Sequence, residues 1–141
     1  MARKYMAHDF EFFSPQKQQE AFVKEMTMED AMSLESPFTF TVWSDKEALL
    51  IGGVTPISGN RAFLYSFISK NMMSHFNGVT RLVREYLSNL PYGRIEAGVD
   101  VDFKQGHRWI KILGFELETP SAKNYNGDGR DASVYVKHGN I

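Results

Sequence analysis

RIEAGVDVDFKQGHRWIKILGFEL, residues Arg94 to Leu117, is the stretch whose reading decides the fold. It opens in strict alternation, with Ile95, Ala97, Val99 and Val101 against Glu96, Gly98, Asp100 and Asp102. Period two with β-branched residues on the apolar side predicts a strand. From Phe103 the period lengthens. Gly106, Trp109, Ile110 and Leu113 follow helical spacing, and Gly114 supplies the stop. Phe115, Leu117 and Thr119 resume alternation as far as Pro120. A strand, a helix and a strand joined this tightly make a βαβ-like unit, which needs further sheet around it.

Working back from Arg94, the break Leu90-Pro91-Tyr92-Gly93 ends the cleanest helical pattern in the chain. There Val79, Leu82, Val83, Tyr86, Leu87 and Leu90 form one apolar stripe, with Arg81, Arg84 and Glu85 on the wet face. A polar loop, Lys70 to Asn77, precedes it. Earlier still, Phe38–Trp43, Ala48–Ile57 and Arg61–Ser69 alternate between turn signals at Ser44–Glu47 and Ser58–Asn60, which predicts an antiparallel meander. Gly52-Gly53 inside the second of these strands signals a bulge or a close backbone approach. The aromatic-rich stretch Lys4–Phe13 predicts a first strand. Ser14-Pro15 reads as the cap and first position of a helix that buries Ala21, Phe22 and Met26. Thr27 and Asp30 form a capping box for a short helix over Met28, Ala31, Met32 and Leu34. Beyond Pro120, the segment from Ser121 to Asp131 is a polar loop with two glycines, and Ala132–Lys137 is a last strand.

The bulk numbers suit one globular domain spanning residues 1–141. The chain is 43% hydrophobic and 23% charged, with a formal net charge of −1. Near-neutrality argues against nucleic acid as a partner held by general phosphate attraction. With no cysteine, disulfides, thiolate catalysis and cysteine-ligated metal are excluded. His8, His75, His107 and His138 show no metal-ligand spacing. No apolar run approaches the roughly 20 residues that span a bilayer, and the N-terminal stretch lacks the apolar core of a signal peptide. These features predict a soluble, cytoplasmic protein with no membrane partner.

The predicted order is β-α-α-β-β-β-α-β-α-β-β. Strand 61–69, helix 79–90 and strand 94–101 require a right-handed crossover, which puts a parallel pair at the centre of an otherwise antiparallel sheet. Ligands in such sheets bind beyond the carboxyl ends of the strands, near a helix N-terminus.

This order, the Leu113-Gly114-Phe115 ending of the stretch from Arg94 and the window Ser74-His75-Phe76-Asn77-Gly78-Val79 before Leu82 resemble the GNAT superfamily of acetyl-coenzyme A-dependent N-acetyltransferases. Asp9–Pro15 and Ile51–Gly53 resemble small GNAT-like proteins of short-tailed bacteriophages. The resemblance implies an α/β (α+β) fold with a mixed, mostly antiparallel sheet, a central parallel pair and helices on both faces. It also implies acetyl-coenzyme A as co-substrate and a small-molecule or protein amine as acceptor. The pantetheine amides would pair with backbone at Ile68 and Ser69. Ser74, His75, Asn77, Gly78 and Val79 would sit at the diphosphate, where Asn77 and Gly78 can adopt the left-handed conformations of an anion-binding nest.

Departures from the family pattern accompany the match. Ser74 stands where the family has Gln or Arg, and Asn77 and Val79 stand where it has glycines. In the last helix Phe103, Gly106 and Ile110 replace Asn, Ala and Tyr. That tyrosine is the usual acid for the departing thiolate, and Ile110 cannot supply a proton. Asp100 and Asp102 share a face at the carboxyl end of the central strand, where the resemblance puts the acceptor amine. Two close carboxylates can hold an ammonium and remove its proton. Plainer readings exist for each: a polar loop with an Asn-Gly turn, and a solvated strand end. An alternative function follows from the departures, a catalytically inactive GNAT-fold phage protein acting in virion assembly or on a host protein.

Overall fold

The computed structural model describes residues 1–139. In chain order the elements are β1 (Ala2–Lys4), α1 (Glu20–Glu25), α2 (Met28–Ser33), β2 (Thr39–Ser44), β3 (Glu47–Ser58) and β4 (Arg61–Ile68). There follow α3 (Phe76–Ser88), β5 (Arg94–Asp100), α4 (Lys104–Ile112), β6 (Glu116–Ala122) and β7 (Ala132–His138). The order is the predicted one. The strands form a seven-stranded mixed sheet, β1-β2-β3-β4-β5-β7-β6. Its parallel pair is β4 with β5, in register from Arg61↔Arg94 to Phe63↔Glu96. The pairs β1–β2, β2–β3, β5–β7 and β6–β7 are antiparallel. Among the described residues no helix is long and apolar enough to cross a membrane.

The chain divides into two compact units: Met1–Thr55 with Tyr65–Leu82, and Pro56–Leu64 with the chain from Val83 onward. In the first unit Tyr5, Phe13, Ala48, Ile51 and Phe67 form a buried cluster, with Phe10, Val23, Met26, Leu34, Trp43 and Tyr65 packed against it. The expected strand over Lys4–Phe13 is corrected here. Only Ala2–Lys4 pairs as a strand, and Ala7–Phe12 is a 3-10 turn. The reason is local: buried Asp9 accepts from the Met6 N–H at 3.0 Å and from the Thr41 hydroxyl at 2.7 Å, which curls the chain. The curl sets Phe10 edge-on to Tyr5, Phe13 and Phe67.

A second correction concerns the helix expected from Pro15. Residues 14–16 stay extended because they pair with the end of β4, so α1 starts at Glu20 after a 3-10 turn at Lys17–Gln19. Ala21 and Phe22 are exposed rather than buried, although the Phe22 ring stacks on Phe67. The capping box of α2 forms as read: Asp30 N–H to Thr27 Oγ1 at 3.1 Å and Thr27 N–H to Asp30 Oδ2 at 3.0 Å. Only Ala31 of its apolar residues is buried, and the Ala31 carbonyl accepts the Tyr5 hydroxyl at 2.6 Å.

Gly52-Gly53 marks a close approach. A Cβ on Gly53 would lie 2.5 Å from the Phe38 carbonyl oxygen, and one on Gly52 would lie 3.0 Å from that of Tyr65. The register shift between β2 and β3 falls elsewhere, between Val42 and Trp43.

In the second unit β7 lies between β5 and β6 and runs antiparallel to both. The strands flanking α4 are therefore parallel but not neighbours, and β7 supplies the extra sheet the βαβ-like unit needs. Trp109, Ile110 and Leu113 are buried, as the helical spacing requires. Gly114, at φ +98°, turns the chain out of α4. Beside the parallel register, Arg61 and Arg94 both bond Glu96 Oε2, at 2.8 and 2.9 Å, and Arg94 also clasps Glu118. Burial pulls Glu96 upward, but the hydrogen bonds from Arg94 and Arg61 win and hold its pKa below the ordinary value.

Candidate functional site

The residues assigned to a cofactor lie in the first unit, along the end of β4 and the start of α3. Alternate backbone groups of a strand point to the same edge. On one edge of β4 those groups are Ser66 O, Ile68 N–H, Ile68 O and Lys70 N–H, and all four have partners. The Gln19 side-chain amide donates to Ser66 O and accepts from Ile68 N–H, each at 2.8 Å. Gln16 N–H donates to Ile68 O at 3.0 Å, and Lys70 N–H donates to Ser14 O at 2.9 Å. Ser69 points its N–H the other way, to Leu49 O at 2.9 Å. Ser69 is buried, and its hydroxyl donates to Glu47 Oε2 at 3.2 Å and accepts the Asn71 N–H at 3.0 Å. The same Glu47 oxygen accepts the Asn71 side-chain amide at 2.6 Å.

The window from Ser74 to Val79 does not form the expected loop. A 3-10 turn occupies Met72–His75, and α3 begins at Phe76. Asn77 and Gly78 are therefore helical, with neither at positive φ, and the left-handed nest read from Asn-Gly is replaced by a helix start. Helix continuity wins because Val79 is buried and must stay in phase with Val83 and Leu87. Ser74, His75, Asn77 and Gly78 are exposed. His75 Nε2 lies 3.3 Å from Ser44 Oγ, and the Ser74 hydroxyl donates to Asn71 O at 3.0 Å. Around Gly78 there is room: a Cβ there would meet nothing within 4 Å. A helix start with an open glycine face suits an anion, while the carboxylate of Glu47, from the start of β3 and bonded to Ser69 and Asn71, opposes one.

The carboxylates belong to the second unit. Asp100 is the last residue of β5, but Asp102 falls in the turn that follows, so the expected shared strand face is not formed. Asp100 is held by the loop before β7. Its Oδ1 accepts from Asn126 Nδ2 at 2.6 Å, and its Oδ2 pairs with Arg130 Nη1 at 2.8 Å. Hydrogen bonding to Asp128, with the charges of Asp100, Asp128 and Asp102, pushes the Arg130 guanidinium above its usual pKa. At the other end of this loop the Asn124 N–H and the Lys123 ammonium hold Asp131 below the usual carboxylate range. Gly98 leaves space for the Tyr125 ring, which a Cβ would meet at 2.8 Å. Asp102 is exposed.

On α4, Ile110 is buried, and His107 bonds the Tyr135 hydroxyl through Nδ1 at 2.8 Å and Val101 O through Nε2 at 3.0 Å. Trp109 is buried, and Trp43 and Tyr65 pack against the core cluster of the first unit. Gln16, Gln19, Glu47, Asn71 and Asn126 were not legible as site residues in the sequence. Their partners are backbone atoms or residues far along the chain, and no spacing rule encodes them.

No family model matches the chain, and no curated protein matches it in sequence. Solved structures do match it in fold. Ard1 from Thermoplasma volcanium aligns over 100% of this chain and 98% of its own, at TM-score 0.78 and 16% identity. A NatB acetyltransferase complex bound to coenzyme A and MES aligns over 99% of both chains, at TM-score 0.77 and 14% identity. A GNAT-family acetyltransferase from Bacillus anthracis aligns over 97% of this chain and 93% of its own, at TM-score 0.69 and 13% identity. The seven-stranded mixed sheet, with β4 and β5 parallel, matches the fold of these acetyltransferases.

Proposed function

We propose that the chain is a GNAT-type N-acetyltransferase that transfers acetyl from acetyl-coenzyme A to a primary amine. The observation that carries this reading is the whole-length likeness in fold to N-acetyltransferases, one of them bound to coenzyme A. In this reading Ile68 reads the pantetheine amides through its backbone beside Ser69. The end of the 3-10 turn and the start of α3, from Ser74 to Val79, face the diphosphate. The neutral amine attacks the thioester carbonyl; a C–N bond forms as the C–S bond breaks, and the proton that the acylated nitrogen must shed goes to the departing sulfur, leaving an amide and a free thiol. Asp102, exposed in the turn after β5, takes the proton that the ammonium must lose. Asp100, tied to Arg130 and Asn126, sets the loop that carries them, and an incoming ammonium competes with Arg130 for its Oδ2.

The experiment is direct. Purified protein with acetyl-coenzyme A and a panel of polyamines, amino sugars and peptide N-termini should release free thiol, and Asp102→Asn should slow it about 10²-fold, as loss of a general base does. Acetyl-coenzyme A should also raise the melting temperature, because it binds the native form alone. No thiol release with any amine, together with an unmoved melting temperature, sinks the reading.

One observation favours a second reading, in which the fold is kept and the chain works by binding another protein. The polar groups at both candidate ends already have partners within the chain: Ile68 has Gln16 and Gln19, and Asp100 has Asn126 and Arg130. That reading requires coenzyme A binding without turnover, or neither.

A further inference from the structure

The geometry points to Ser14–Gln19 as a displaceable strap: it occupies the amide-reading edge of β4, and a ligand carrying amides in series must expel it to bind there. This rests on the acetyl-coenzyme A reading and adds a regulatory step to it. The edge from Ser66 to Lys70 offers acceptor, donor, acceptor and donor at strand spacing, the array that an extended chain of amides recognises. The strap satisfies it in two ways. Ser14 O and Gln16 N–H supply true main-chain partners, with Pro15 and Ser69 forming an antiparallel bridge. Beyond them the main chain departs into the 3-10 turn at Lys17–Gln19. There the Gln19 side chain takes over, one carboxamide donating to Ser66 O and accepting from Ile68 N–H. A primary amide in that position copies the peptide-like group of a pantetheine arm.

The strap is also imperfectly held. Gln16 Nε2 is buried with no hydrogen-bond partner among the described residues. A buried donor left unpaired costs free energy that release to water restores. Segment 14–19 gains little from its own burial, since Lys17 and Gln18 are exposed and the rest is half-buried. Closed, it keeps the β4 edge from pairing with a stray strand; open, it yields the edge to the ligand.

Two variants test this by titration calorimetry with acetyl-coenzyme A. Gln19→Ala removes the competitor for Ser66 O and Ile68 N–H, and binding should tighten about tenfold, the worth of one to two net hydrogen bonds. Pro15→Cys with Ser69→Cys fixes the strap. The two residues oppose each other in a non-hydrogen-bonded antiparallel pair, whose spacing suits a disulfide, and the chain has no other cysteine. Oxidised, this variant should bind at least about tenfold more weakly than its own reduced form, so that the substitution at Ser69 stands on both sides of the comparison. Equal or weaker binding by Gln19→Ala, or an oxidised form that binds as the reduced one does, overturns the strap and leaves the acetyl-transfer reading standing. No binding by the wild type, Gln19→Ala or the reduced double variant removes that reading and the strap with it.

Discussion

At Gly53 a side chain would begin 2.5 Å from a carbonyl oxygen, whereas at Gly78 it would meet nothing within 4 Å. Both glycines belong to short Gly-containing pairs in one compact unit, and both stand out in the sequence for the same reason, a missing β-carbon. The first is missing because the Phe38 backbone occupies the space. The second leaves space that nothing among the described residues occupies. A glycine signal therefore reports either crowding by the protein or room beside it, and only the neighbours decide which. A proposal about ligands belongs with the second kind.

The largest expected effect tests the crowded side. Gly53→Ala forces backbone to move where β3 pairs with the start of β2, at the upper end of what overpacking costs, about 3 kcal/mol. The melting temperature should fall by roughly 10 °C. Gly52→Ala, with 3.0 Å to the Tyr65 carbonyl oxygen, should cost less. If Gly53→Ala melts with the wild type, the close approach is not real and the contrast collapses.

The same distinction between enclosed and open separates Glu96 on β5 from Asp102 in the turn after it. Glu96 is enclosed, with Arg61 and Arg94 on one oxygen; Asp102 is exposed. Glu96→Gln should cost about 1.5–3 kcal/mol, the range for hydrogen bonds to charged groups, read from the shift in urea midpoint. Asp102→Asn should leave stability unchanged. Acid gives the same ranking by another route. The folded pKa of Glu96 lies below the ordinary 4.5, so its contribution is complete above that value and is lost as pH falls through the lower folded pKa. Wild type should thus lose stability more steeply below pH 4.5 than Glu96→Gln does. Parallel acid curves for the two proteins would count against the enclosed pair.

These residues also show what the sequence carries. Alternation followed by helical spacing in Arg94–Leu117 was legible because each period is written along one segment, and burial of Trp109, Ile110 and Leu113 follows from it. Aromatic density over Tyr5–Phe13 misled, because a single buried carboxylate, Asp9, reaching Met6 and Thr41 outweighs local β preference. Pro15 misled in the same way: it suits a first helical turn, yet Ser14 and Gln16 are held extended by β4. Asn77-Gly78 carried a turn signal that the apolar stripe of α3 overrode. The edge of β4 was illegible for a different reason. Its chemistry is backbone, the same in every sequence, and its partner is a glutamine side chain 49 positions away.

A small stabilisation separates the two glycines most sharply. Gly78 lies near the start of α3 in helical backbone, with open space where its Cβ would be. Gly78→Ala therefore lowers the entropy lost on folding without a clash, and should stabilise by about 0.5 kcal/mol, opposite in sign to Gly53→Ala. Binding supplies the second readout. If the open face receives a diphosphate, the new methyl group stands between the anion and the helix start. Acetyl-coenzyme A affinity should then fall severalfold while the protein itself melts higher. A structural glycine cannot give that pairing, since any change that harmed binding through misfolding would lower the melting temperature as well. Gly78→Ala that melts higher and binds acetyl-coenzyme A unchanged would place the diphosphate elsewhere, and the window from Ser74 to Val79 would lose its assignment.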